Sequence, residues 1–250
     1  MYRTLDPERI VSSLDHLTRR IEERFPGAGL ATVSAELADI ARETTGRVER
    51  IGRPAIVTRV IIALLLLLGF IALAGLARMI VVHTKATDDL YGTMQGIDAS
   101  FNIIVLISAA TYFLISLEAR QKRRRALRAL HELRSIIHVI DMHQLTKDPA
   151  MAVSVSGSSS TPSSPDRTLT QFELTRYLDY CSEMLSLTAK IAVLYAQSLP
   201  SPTVIEVVND IERTAASLAQ KIWQKIMIIE SGMQHQELMA KLNAARQGDS

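Results

Sequence analysis

Between Val60 and Leu117 the chain gives up the periodic mixing of oily and polar residues that marks its two ends. Val60 to Ala77 carries no charge and, past Arg78, the apolar run reaches Val82; Ala99 to Leu117 is a second uncharged run. At about 1.5 Å of rise per residue, each run is long enough to cross a hydrocarbon core roughly 30 Å thick. The pattern therefore predicts membrane-spanning helices over 55–82 and 99–117, joined by a short external loop at 83–98. No Gly or Pro occurs from Ala99 to Thr146, so the second span is expected to run on, unbroken, as a long helix in water over 118–148.

The flanking regions show helical periodicity instead. Asp6-Pro7 has the form of an N-cap followed by Pro at the first helical position. Ile10, Leu14, Leu17 and Ile21 then share one face, and Phe25-Pro26-Gly27 should stop that helix. Leu30, Val33, Leu37 and Ile40 begin a second amphipathic helix that is expected to end at Thr44-Thr45-Gly46, so residues 1–46 form an antiparallel helical pair. Helices this short bury too little to stand alone and should dock on the helices that follow the membrane segment. Residues 149–167 are rich in Ser and Pro and read as a flexible linker. Beyond them, 168–248 is expected to be a helical hairpin. Thr170-x-x-Glu173 is a capping box opening a helix with the apolar face Leu174, Tyr177, Leu178, Cys181, Met184, Leu185, Ile191 and Tyr195. Leu199-Pro200-Ser201-Pro202 turns the chain. Thr203-x-x-Glu206 reads as a second capping box, before Val204, Val208, Ile211, Ala215, Leu218, Ile222, Ile226 and Ile229 in near-heptad spacing. Gly232 is a place for that helix to kink or end, while Leu238 and Leu242 can continue the stripe. No run alternates with period two over strand length, so the fold class is all-α: a two-helix transmembrane hairpin with a cytoplasmic helical bundle.

Charge orients the hairpin. Arg47, Arg50, Arg53 and Arg59 precede the first apolar run at Val60, and Arg120, Lys122, Arg123, Arg124, Arg125 and Arg128 follow the second, whereas the connection between them carries Lys85 against Asp88, Asp89 and Asp98. The positive-inside rule then puts both termini in the cytoplasm; in a bacterium the membrane is the inner one. The same basic block attracts anionic lipid head groups. A net charge of +2 with the cations gathered beside the spans argues against a nucleic-acid partner. A single cysteine, Cys181, rules out an internal disulfide framework and suits a reducing compartment. The first fifty residues have no short apolar core with a cleavage site, so no secretory signal is expected.

Polar residues inside the spans are few. Arg78 lies near one end, from which its guanidinium can snorkel to the interface. Asn102, Ala109 and Ser116, seven apart, make one small or polar face that can meet the first span or a second copy of the chain. On the helix beyond the basic block, Leu130, Leu133, Ile137 and Ile140 occupy a and d positions of a bundle seam. His131, Ser135, His138, Asp141 and Met142 lie on its flank. His131 and His138 are about 10.5 Å apart along the axis, too far to share an ion, and His143 points about 140° round from His138. Only His138 and Asp141 share a face closely, which favours a hydrogen-bonded pair over a metal site, and no metal or cofactor is expected.

His131-Glu132-Leu133-Arg134 resembles the core of the phosphoacceptor box of sensor histidine kinases, which implies His131 as a phosphate acceptor. Ser135-Ile136-Ile137 stands where that family usually has Thr-Pro-Leu, and no Asn- and Gly-rich ATP-binding segment lies downstream, so autophosphorylation is not expected. Glycine-rich phosphate loops, a HisGluXXHis pair and a Gly-x-Ser-x-Gly elbow are absent from the sequence. The expected function is a non-enzymatic membrane anchor or scaffold whose cytoplasmic helices assemble with themselves or with a helical partner. The alternatives are a transmembrane sensor or small oligomeric channel, and a metal- or ligand-binding module at His131–His143.

Overall fold

The computed structural model describes residues 4–86, 90–145, 147 and 169–248, and these form six helices with no strand among the described residues. They are α1 (Pro7–Arg24), α2 (Gly29–Gly52), α3 (Ile56–Ala86), α4 (Leu90–Leu145), α5 (Gln171–Ser198) and α6 (Pro202–Gly248). The chain divides into two compact units, Met1–Arg50 with Ala126–Ser250, and Ile51–Arg125.

The first unit is a helical bundle with a mainly apolar interior. Asp6 caps α1 by accepting from the Glu8 N–H at 3.0 Å, with Pro7 at the first helical position. Its face of Ile10, Leu14, Leu17 and Ile21 is buried, and Gly27 turns the chain with φ of +72°, a conformation that costs a β-carbon-bearing residue more. α1 and α2 are bridged by the Thr18 and Ser34 hydroxyls, 2.6 Å apart, and by Arg42 on Asp15 at 2.5 Å. α1 also docks on α5. Arg20 grips Glu183 through both carboxylate oxygens at 3.0 and 2.7 Å, and Phe25 meets the rings of Tyr177 and Tyr180 edge-on. The N-terminal pair thus packs on later helices, as its small core requires. α5 opens with the expected capping box, the Glu173 N–H reaching the Thr170 hydroxyl at 3.2 Å and the Glu173 carboxylate taking the Thr170 N–H at 2.7 Å. α5 and α6 pack together through the faces read from their periodicity. Ala126, Ala129, Leu130, Leu133, Ile136, Ile137 and Ile140 of α4 are buried in the same core, and Arg134 pairs with Asp210 of α6.

In the second unit α3 and α4 run antiparallel. The Cα of Gly69 faces Ile107, and eleven residues on, Gly96 faces Ile80, where an added β-carbon would stand 2.6 Å from Ile80 Cδ1. Gly69 belongs to no Gly-x-x-x-Gly motif and Gly96 closes a Gly92-x-x-x-Gly96 spacing; each lets a partner isoleucine come close. Both helices are long and apolar enough to cross a membrane, and their oily side chains point away from each other's contact line. Leu64, Leu67, Leu68 and Phe70 on α3, and Phe101, Val105, Leu106 and Phe113 on α4, are all exposed.

Four element boundaries differ from the sequence reading. α2 does not end at 46 but continues to Gly52. Thr44 and Thr45 return their hydroxyls to the carbonyls of Ile40 and Ala41, while Val48 and Ile51 extend the buried stripe, so burial outweighs the cost of Gly46. The stretch 83–98 is not a loop over most of its length: α3 runs to Ala86 and α4 begins at Leu90. Met94, Ile97 and Phe101 continue the helical spacing backwards, and Ser100 bonds to the Gly96 carbonyl at 2.8 Å. α6 starts at Pro202 rather than after a Thr203 cap, because Pro suits the first helical position and the Ile205 N–H already reaches the Ser201 carbonyl at 2.9 Å. Gly232 does not end the helix, which continues to Gly248. The linker at 149–167 lies outside the described residues.

Candidate functional site

The basic residues beyond the second apolar run form the most concentrated charge in the molecule. Glu118 organises them. Its carboxylate accepts the Ala55 N–H at 3.0 Å, just before α3, and binds Lys122 at 2.9 Å one turn along α4. The Lys122 ammonium in turn donates to the Arg53 carbonyl at 2.7 Å. A carboxylate from α4 therefore serves as the cap that the Gly52-Arg53-Pro54-Ala55 connection lacks locally, a favourable place for negative charge at a helix N-terminus. The Ala55 N–H first, and Lys122 second, hold the Glu118 carboxyl below its ordinary range.

Lys122 is spent on this staple, whereas the other cations are not. Arg59, Arg120, Arg123, Arg124 and Arg125 make no side-chain ion pair or hydrogen bond among the described residues, and neither does Arg128. At about 100° per residue the five basic side chains from Arg120 to Arg125 surround α4 rather than occupying one face. Glu118 was missed by the sequence reading. The available signal was an acid placed directly after an uncharged run of nineteen residues and four before a lysine, a spacing that favours pairing.

The histidine flank does not close into a site. His131 and His138 are exposed, and Asp141 takes a hydrogen bond from Gln144 at 2.5 Å. His143 turns to the other side, its ring against Gly29 of α2 and its Nδ1 3.4 Å from the Tyr177 hydroxyl. Among the described residues no three His, Cys, Asp or Glu side chains are placed to hold a metal ion. Glu132 of the His-Glu-Leu-Arg segment is engaged by Arg47 at 2.6 Å, and Arg47 also holds Glu43 at 2.6 Å. The Glu132 bond raises the Arg47 pKa. Beside that cluster, buried Thr44 meets the Tyr195 hydroxyl at 3.2 Å. Gln144, also buried, receives the Lys225 ammonium on its side-chain and backbone oxygens at 2.7 and 2.9 Å, which satisfies the C-terminal end of α4. These polar groups join helices together, and none converges on an open cavity. Cys181 is buried, and burial pushes its thiol pKa up to about 12, opposite to what a nucleophile needs.

Of the polar residues inside the apolar runs, Arg78 and Asn102 are exposed and Ser116 is half-buried. Asn102 donates to Asp98 at 3.4 Å. The face of Asn102, Ala109 and Ser116 stands about 140–180° round α4 from Ile107, the residue that meets α3. The face therefore lies off the line along which Ile107 meets α3. No protein-family profile matches the chain, and no curated protein or solved structure is significantly similar to it.

Proposed function

We propose that the chain is an integral membrane protein with two spans and both termini in the cytoplasm, and that its helical bundle is a non-enzymatic scaffold that assembles with itself or a helical partner. The observation that carries the membrane part is the outward orientation of the apolar side chains on α3 and α4: Leu106 is 71% exposed and Phe70 likewise 71%. Water-soluble monomers rarely expose contiguous apolar patches larger than a few hundred Å², and a buried core helix would have covered these residues. In lipid the same surface costs nothing, and helical backbone satisfies its own hydrogen bonds. The scaffold part is supported by polar groups committed to joining helices and by long amphipathic elements. Crosslinking in membranes, followed by sizing in mild detergent, should give a species larger than one chain. A strict monomer without partner overturns the scaffold, and release from membranes by alkaline carbonate overturns the membrane reading.

A second reading, an oligomeric sensor or channel, is favoured by the Asn102, Ala109 and Ser116 face pointing away from α3. Two spans cannot enclose a pore alone, so protomers would line it together. Ion flux from liposomes that is lost in Asn102→Leu supports this reading; absence of flux under every condition removes the channel.

A further inference from the structure

The arginines around the start of α4's polar half raise a question of compensation. Arg120 and Arg124 are one helical turn apart, as are Arg120 and Arg123, and like charges at these spacings repel. The neighbouring acid, Glu118, is already occupied by the Ala55 N–H and by Lys122. Counter-charge for Arg59, Arg120, Arg123, Arg124 and Arg125 therefore has to come from outside the described chain.

Depth identifies the source. From Arg120 to Arg125 the helix rises about 7.5 Å. A bilayer about 40–45 Å thick with a core of about 30 Å leaves a headgroup layer of about the same height on each side. With Leu117 ending the uncharged run at the hydrocarbon edge, Arg120 stands about 4.5 Å and Arg125 about 12 Å beyond it, so the ring begins inside that layer and its outer members reach back to it along their flexible side chains. The Glu118 and Lys122 contacts bring Arg53 to the same level from the α3 side, and Arg59, one turn into α3, can snorkel back to it. A guanidinium offers paired donors that match the oxygens of a phosphodiester. The arrangement places such groups around a helix at and just above the headgroup layer, where phosphodiesters are the abundant anions.

We propose that Arg59, Arg120, Arg123, Arg124 and Arg125 form a binding site for anionic phospholipid headgroups, with Glu118 as the positioning residue that holds its two halves together. The inference rests on the membrane reading given above. It differs from nonspecific attraction to a negative surface in one respect: net charge alone predicts that removing the Glu118 carboxylate strengthens binding, whereas a positioned site predicts that it weakens.

The test uses the full chain in nanodiscs of phosphatidylcholine alone, or of phosphatidylcholine with phosphatidylglycerol, and measures the lipids retained after detergent extraction by native mass spectrometry. Phosphatidylglycerol should be retained over phosphatidylcholine on the order of tenfold, fall towards parity in Arg124→Gln/Arg125→Gln, and weaken with salt. Glu118→Ala should lower the enrichment despite its gain in positive charge, and Glu118→Gln, which still accepts from the Ala55 N–H, should restore most of it. Equal retention of both lipids, or undiminished enrichment in Glu118→Ala, overturns the site. Displacement of the lipid by millimolar inorganic phosphate also overturns it, because the ligand would then be the free anion. A chain that enters neither kind of disc overturns the membrane reading and this site with it; one that enters both without enrichment overturns the site alone.

Discussion

One helix, α4, carries two opposite surfaces. From Met94 to Leu117 its large apolar side chains are exposed, while from Ala126 to Ile140 the apolar residues are the buried ones. Backbone geometry does not distinguish the two stretches, since both belong to a single helix of 56 residues. Arrangement does. In the first stretch oily residues occur all round the helix, so no rotation could bury them against one neighbour; in the second they repeat every three or four positions and leave an opposite face for charge. The first kind of surface calls for an apolar solvent, the second for a partner helix.

That contrast can be broken by mutation. Ile137, fully buried, and Leu106, 71% exposed, lie on the same helix. Ile137→Ala should cost about 2–5 kcal/mol through lost burial and a residual cavity, while Leu106→Ala should stay within about 0.5 kcal/mol. Urea unfolding in mild detergent, followed by far-ultraviolet circular dichroism so that the helices of both units are observed, measures both. Equal costs would mean that the two halves of α4 do not differ as described.

Chemical accessibility sharpens the bundle side of the comparison. With its pKa pushed up to about 12 by burial, Cys181 should have a thiolate population on the order of 10³-fold below that of an ordinary thiol at pH 8. Alkylation should be negligible in the folded chain and fast once guanidinium opens it. The raised value also sets the sign of a pH effect. The stability contributed by the neutral buried thiol is present below the ordinary thiol value near 9, and is lost as pH rises towards about 12. Rapid labelling of the native protein would contradict the burial of Cys181.

The smallest effect separates two ways of starting a helix. α5 is capped by its own neighbour, Thr170, whereas the cap before α3 comes from Glu118, 63 positions away. Thr170→Ala should lower bundle stability by about 1 kcal/mol. Glu118→Ala should leave the bundle's urea transition unchanged, because it acts in the other unit. A shift of similar size in both variants would join the two units into one cooperative structure.

Periodicity and composition made much of this architecture legible. The α1 and α5 caps, the face of each bundle helix, the seam of Leu130, Leu133, Ile137 and Ile140 and the two apolar runs all follow from residues within a few turns of one another. What escaped depended on distant neighbours. Gly46 has the look of a stop, and α2 passes through it because Val48 and Ile51 have a core to enter. The polar stretch before Ala99 resembles a loop, although Met94 and Ile97 already keep helical spacing. His143 seemed to belong with His138, but it faces Gly29 and Tyr177, which lie more than thirty residues away. No local rule links Glu118 to Ala55.

The paired glycines of α3 and α4 have a mechanical consequence. Each helix offers a notch to the other's isoleucine, Gly69 receiving Ile107 and Gly96 receiving Ile80, with three turns of helix between the two engagements on either rod. Sliding one rod along the other must withdraw both pegs together, and a twist that deepens one seat lifts the other. Two missing methyl groups thereby index the pair like a key cut at two depths, setting its register by shape.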